Sequence, residues 1–221
     1  MNTENYKALI NEIQAGGARL VAISKTQPVE KIAELYQQGQ RLFGENKVQE
    51  LVAKHKALPK DIEWHLVGHL QTNKVKQVTP FVHLIHSVDS LKLLAEINKQ
   101  ALAAGRTVNC LLQVHIAAEE TKFGLSDNEL HDLLRSAEFA AMKNVCICGL
   151  MGMATNTGNV AQVEKEFEHL HLLFAEVKKE FFAAQSCFAE LSMGMSGDYK
   201  LALKHGATLI RVGSLIFGER I

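Results

Sequence analysis

The chain has 221 residues, 47% of them hydrophobic and 22% charged, which is enough to bury one large core. Lysine plus arginine balances aspartate plus glutamate at 24 each, so no global basic field draws nucleic acid or an acidic membrane, and a small-molecule partner is favoured. The opening residues, Met1 to Lys7, carry no apolar signal core, and no run of about eighteen apolar residues follows, so a cytoplasmic protein is expected.

Glu4 to Ile13 reads as an extra helix ahead of the first strand, lying either beneath a barrel or on its side. From there a short apolar or β-branched run is followed by a segment of helical period, again and again, with no proline- or serine-rich linker. The strands predicted are Leu20 to Ser24, Arg41 to Phe43, Glu63 to Val67, Leu84 to His86, Asn109 to His115, Val145 to Leu150, Glu190 to Met193 and Thr208 to Val212. Eight such runs predict an α/β chain folded as a single-domain (β/α)8 TIM barrel over residues 1–221. An open doubly wound sheet shares the same repeat. Against it, the first βα loop reads Ser24-Lys-Thr-Gln-Pro28, without the Gly-x-Gly-x-x-Gly that lets backbone approach a pyrophosphate.

Between the strands, apolar stripes at helical spacing predict core-facing helices. They are Ile32, Leu35 and Tyr36; Leu91, Leu94, Ala95 and Leu102; and Val163, Phe167, Leu170, Phe174, Val177 and Phe181. Pro28 suits a first helical turn, Gly105 a helix stop, and Ser126 with Glu129 a capping box. Cys110, Cys146, Cys148 and Cys187 lack the spacing of a disulfide framework, which fits a reducing compartment. Cys146 and Cys148 share a face of one predicted strand and read as small buried hydrophobes rather than metal ligands.

The chemistry concentrates at strand ends. Lys25 closes the run Arg19-Leu-Val-Ala-Ile-Ser24 at the point where a barrel strand delivers its last side chain to the ligand mouth, and partial burial there favours the neutral amine a Schiff base needs. Near the other end of the chain, Leu191-Ser-Met-Gly-Met-Ser-Gly-Asp198 and Thr208-Leu-Ile-Arg-Val-Gly-Ser214 each run from a strand into a helix. Ser196, Gly197, Gly213 and Ser214 fit an anion held at helix N-termini, and barrels often seat a phosphate after strands seven and eight. Arg211 lies inside the apolar run of the eighth strand, where a guanidinium needs an acceptor. That acceptor is either a structural carboxylate or the ring nitrogen of a bound heteroaromatic phosphate. No metal is expected: His65 and His69 straddle a strand end rather than sharing a helix face, and His169 and His171 face different sides of their helix.

Several segments resemble one family in order along nearly the whole chain. They are Val21 to Thr26, Phe43-Gly-Glu-Asn-Lys-Val-Gln-Glu50, Trp64 to Lys74, Ile85 to Asp89, Glu120-Thr-Lys-Phe-Gly124, Gly149 to Met151, Leu191 to Ser196, and Arg211 to Arg220. The chain is similar to the YggS/PROSC family, the pyridoxal phosphate homeostasis proteins. The resemblance implies a monomeric barrel of the alanine-racemase N-terminal type, fold type III, without that enzyme's second domain. It implies pyridoxal 5′-phosphate held as a covalent aldimine to Lys25, with Arg211 at the pyridine nitrogen and Ser196, Gly197, Gly213 and Ser214 around the phosphate. Asn46 and His69 are implied close to the cofactor; Met193 falls near its ring by the same resemblance but reads as an ordinary core methionine. Lys47, His115 and Ser214 depart from the family's commoner tyrosine, asparagine and threonine; Ser214 keeps the hydroxyl.

The resemblance points to a non-catalytic carrier that stores or delivers pyridoxal phosphate, B6-dependent apo-enzymes being the expected recipients. The alternatives are a fold-type III enzyme such as a weak amino-acid racemase, and an aldolase-like barrel using Lys25 on a sugar phosphate. Arg211 disfavours a protonated pyridine nitrogen and so weakens the ring as an electron sink. Of the tyrosines that could supply a missing acid or base, Tyr6 and Tyr36 fall on helices away from the mouth. Tyr199 is the remaining candidate and reads as structural.

Overall fold

All eight predicted runs are strands, each hydrogen-bonded to the next in sequence, and the last returns to the first. In chain order they are β1 (Arg19–Ile23), β2 (Leu42–Glu45), β3 (Glu63–Leu66), β4 (Leu84–Val88), β5 (Val108–Val114), β6 (Val145–Gly152), β7 (Glu190–Ser192) and β8 (Leu209–Val212). Every pairing is parallel, and β1 meets β8 with Ala22 opposite Val212 and Val21 opposite Arg211. Closure leaves no sheet edge, which decides against the open doubly wound arrangement. The computed structural model describes residues 3–119 and 121–218; Glu120 of one family-like segment, and Glu219 and Arg220 of another, lie outside the described residues.

The helices that cover the strands are α1 (Thr3–Ala15), α2 (Val29–Gln37), α3 (Val48–Ala57), α4 (Val75–Val78), α5 (Leu91–Ala103), α6 (Asp127–Arg135), α7 (Ala137–Ala140), α8 (Val160–Phe181), α9 (Tyr199–Lys204) and α10 (Ser214–Phe217). Their starts and stops follow from local chemistry. Ser126 and Glu129 form the predicted capping box at α6, and Gly105 takes a φ of +65° just beyond α5, a conformation costly for any residue with a Cβ. Pro28 sits one residue outside α2, extended at the N-cap, instead of in the first turn. Leu102 is also corrected, being 66% exposed: the buried stripe of α5 runs through Leu94, Ile97 and Ala101, and the next residue is rotated about 100° off that face.

Helix α1 packs on the barrel's side. Buried Tyr6 donates to Gln40 Oε1 at 2.9 Å, and Gln40 Nε2 in turn donates to the carbonyls of Leu20 and Leu42. At its other end Glu12 accepts from the Tyr199 hydroxyl at 2.8 Å and pairs with Lys200. The helix therefore fills the outer ring between α2 and α9, over β1.

One core lies between strands and helices, and a smaller one inside the barrel includes Val21, Leu84, Leu111, Met151 and Leu209. Cys148 belongs to the inner cluster and Cys110 to the outer, whereas Cys146 is half-buried and Cys187 exposed. Gly149 shows why one residue type is needed at the β5–β6 irregularity: its φ is +151°, and a Cβ would fall 1.8 Å from the Glu190 carbonyl oxygen. Among the described residues no helix is long and apolar enough to cross a membrane.

Candidate functional site

The C-terminal ends of the strands enclose a cavity of about 230 Å³. Six of the residues singled out from the sequence line it together: Lys25, Asn46, Ser196, Arg211, Gly213 and Ser214. Gly197 is exposed in the same loop as Ser196 but beyond the lining. His69 is also outside: its ring stacks on Phe123 with centroids 4.1 Å apart and bonds Asp89 at 3.1 Å, over a neighbouring depression shared with Asn46 and Lys47. Met193 is fully buried in the outer core, whereas Met153 and Met195 reach the cavity. His115 bonds the Glu119 carbonyl, away from the lining.

The loop bearing Lys25 is set by charges buried behind it. Lys54 on α3 donates to the Ser24 carbonyl and to Glu45 Oε1, both at 2.7 Å, and Ser24 donates to the same carboxylate oxygen at 2.6 Å. Glu50 accepts the Thr26 amide at 2.8 Å. Thr26 is held at a φ of +64°, a strained region for a β-branched residue, so the surroundings over-determine this turn and fix where Lys25 starts. Burial raises the Glu45 carboxyl above its ordinary value, and Lys54 and Ser24 oppose that. Gly68, after β3, lets its loop lie against the loop after β2: a Cβ there would come 2.3 Å from the Asn46 carbonyl oxygen.

Arg211 lies deeper, on the adjacent strand. It is 4% exposed, donating to Ser192 Oγ at 2.6 Å and to the Gly152 carbonyl at 3.0 Å. Burial pulls its guanidinium down to about 10, and the Asp198 charge acts the other way. It remains a cation at neutral pH with neutral hydrogen-bond acceptors, rather than half of the salt bridge that a structural reading of the sequence allows.

Behind Arg211 the structure reveals a chain that sequence reasoning missed. Ser192 Oγ is 2.9 Å from His86 Nδ1, and His86 Nε2 is 2.8 Å from His65 Nδ1. Burial holds both imidazoles well below their usual range, His83 adding to it at His65 and His65 at His86. The available signal was polar residues at inward positions of otherwise apolar strands, His65 between Trp64 and Leu66 and His86 after Ile85.

The last wall is the pair of loops after β7 and β8. Asp198 Oδ1 accepts the Met195 amide at 2.6 Å and folds the first loop, leaving Ser196 at the cavity. Gly213 and Ser214 line it at the start of α10, where a helix's first amides lack partners within the helix. A small apolar cavity with an amine, a buried guanidinium, serine hydroxyls and backbone amides suits a flat, carbonyl-bearing phosphate. The donor set therefore fits pyridoxal 5′-phosphate.

Residues 2–221 match the family model described as alanine racemase, N-terminal domain. A pyridoxal phosphate homeostasis protein of Aquifex aeolicus is 41% identical over 204 residues, covering 92% of this chain and 87% of that protein. Among solved structures, PipY of Synechococcus elongatus without pyridoxal phosphate superposes with a TM-score of 0.89 at 37% identity, over 97% of this chain and 99% of that one. PipY with pyridoxal phosphate bound gives 0.85 at 35% identity over the same shares.

Proposed function

This chain belongs to the alanine racemase N-terminal-domain family, among the pyridoxal phosphate homeostasis proteins, and on that premise we propose that its cavity binds pyridoxal 5′-phosphate. Its role on this reading is cytoplasmic homeostasis of the cofactor, storing and delivering it, without catalysis of its own. Residues 1–221 act as one monomeric binding domain. The observation that carries the reading is the convergence of Lys25, Arg211, Ser196, Gly213 and Ser214 on one small cavity.

Bound pyridoxal phosphate supplies an aldehyde that can condense with an amine, beside an aromatic nitrogen and a phosphate. Lys25 is the amine that would make the covalent link, delivered from a loop that the Glu45–Lys54 pair holds still. Arg211 would donate to the ring nitrogen and, remaining protonated, withhold a proton from it, so the ring is kept a poor electron sink. Ser196, Gly197, Gly213 and Ser214 would hold the phosphate with hydroxyls and amides. Asn46 would meet the cofactor at the rim, with His69 one step outside.

The absence of catalysis is supported by where the tyrosines are spent. Tyr6 bonds Gln40, Tyr36 bonds Asp61 and Tyr199 bonds Glu12, none of them at the cavity lining. Incubation with separate L- and D-amino acids in deuterated water should give no Cα exchange beyond that of free cofactor; faster exchange would favour the racemase alternative.

The site assignment is tested by the visible spectrum of the cofactor-loaded protein, borohydride trapping and peptide mapping. The label should fall on Lys25, and Lys25→Ala should lose the absorbance band. A label on any other lysine would overturn the assignment. Delivery is tested by transfer to a B6-dependent apo-enzyme, which must outpace release into buffer.

A further inference from the structure

At the opposite end of the barrel, the N-terminal ends of β3 and β4 bring together three groups outside the cofactor cavity. Glu63 opens β3, His65 follows two residues later on the same inward face, and His83 immediately precedes β4. One ligand atom from each lies within 4.8 Å of the other two, and His83 Nε2 is 3.4 Å from Glu63 Oε2. The His65 and His83 rings are nearly parallel, 11° apart.

The second observation is a buried atom with nothing to bond. His65 is 2% exposed, its Nδ1 is occupied by His86, and its Nε2 is buried without a hydrogen-bond partner. Neither tautomer relieves this. With the proton on Nε2 a donor is orphaned, and with it on Nδ1 a lone pair is orphaned; either is costly in a buried site.

We propose that Glu63, His65 and His83 bind a divalent transition-metal ion of the zinc type at the N-terminal end of the barrel. Two imidazoles and a carboxylate make a three-ligand set of a kind zinc takes, with the fourth position left to water. The half-exposed Glu63 and His83 open that position to solvent, while buried His65 anchors the ion from the barrel side. A cation on Nε2 places the ring proton on Nδ1, which then donates to His86 Nε2; His86 Nδ1–H donates to Ser192 Oγ, the atom that also accepts from Arg211. A ligand histidine whose second nitrogen donates to a buried acceptor is the usual outer arrangement at metal sites. Arg19 is the opposing charge, acting on His65 across the barrel floor, and it is itself paired with Glu190.

A second cluster, His131 with Glu176 and Glu180, differs in being a surface arrangement that Arg135 already neutralises at 2.9 Å from Glu180. It serves as the internal control. Chelator-treated full-length protein should bind one Zn²⁺ per chain by calorimetry, and Co²⁺ should develop the intense visible bands of a low-coordinate site. His83→Ala and Glu63→Gln, both at half-exposed positions, should each weaken binding by more than about 100-fold, beyond the effect of losing an outer partner, whereas His131→Ala should not. Imidazole ¹⁵N spectra should report His65 protonated at Nδ1 once Zn²⁺ is bound. No saturable Zn²⁺ binding, binding unchanged by either variant, or binding lost in His131→Ala would overturn the site.

Discussion

Lys25 and Arg211 reach the same cavity from adjacent strands, yet the surroundings that hold them differ in kind. Around the Lys25 loop the fold buries opposite charges: Lys54 against Glu45, with Glu50 at the half-buried margin. Around Arg211 it supplies a serine hydroxyl and a backbone carbonyl. A charged scaffold fixes a turn rigidly but fails badly when one charge is lost, because the partner stays buried and unpaired. A neutral scaffold leaves the guanidinium's charge uncompensated by direct contact and hence available to a ligand. Register adds depth to the contrast, since Arg211 lies opposite Val21, four residues below Lys25.

The largest expected effect follows from the charged side. Lys54→Met should destabilise the fold by about 3–5 kcal/mol in urea unfolding at or above neutral pH, by stranding Glu45. Burial already raises the Glu45 carboxyl, so protonation should rescue the variant as pH falls. A loss under about 1 kcal/mol at pH 8 would mean that the turn at Thr26 does not depend on this pair.

Acid should expose the other side. His65 and His86 have folded pKa values well below those of the unfolded chain, so their contribution is complete above about 6.5. As pH falls below that value the unfolded state binds protons that the native state refuses, and stability drops by about 1.4 kcal/mol per pH unit for each histidine. Urea midpoints from pH 7.5 to 5.5 measure this, and a flat profile would remove the neutral chain behind Arg211. Arg211→Gln should cost less, about 1–2 kcal/mol, because no buried charge is left behind. It should still weaken pyridoxal phosphate binding, so equal stability losses for this variant and Lys54→Met would erase the distinction between the two scaffolds.

The same distinction explains what could be read from the sequence. Periodicity located all eight strands, because burial on both faces of a parallel strand leaves a short apolar run whatever its neighbours. Lys25 and Arg211 stood out as cations at the end of, or inside, such runs. The Ser192–His86–His65 chain did not, since it exists only after closure sets β7 across the barrel interior from the adjacent β3 and β4, with His86 and Ser192 106 positions apart in sequence. In sequence His65 stands four residues from His69, whereas the fold places it beside His83, just before the next strand. His69 itself follows a strand end where a loop side chain could turn either way, and Phe123 and Asp89 draw it outward.

The smallest effect concerns a residue outside both scaffolds. Tyr199 begins α9, just after the loop that presents Ser196, yet its hydroxyl points to Glu12 on α1. Burial raises its phenol, and the Glu12 bond adds to that, so the proton is held rather than offered for transfer. Tyr199→Phe removes one hydrogen bond between α1 and α9 and should cost about 1 kcal/mol. Cofactor affinity and absorbance should stay as they are, because the phenyl ring remains to pack and the lost hydroxyl faces Glu12, away from the lining. A changed spectrum or weaker binding would place Tyr199 in the functional machinery and reopen the question of proton transfer there. An unchanged spectrum with a small stability loss would leave it as a bolt between the first helix and the wall that carries the phosphate loop.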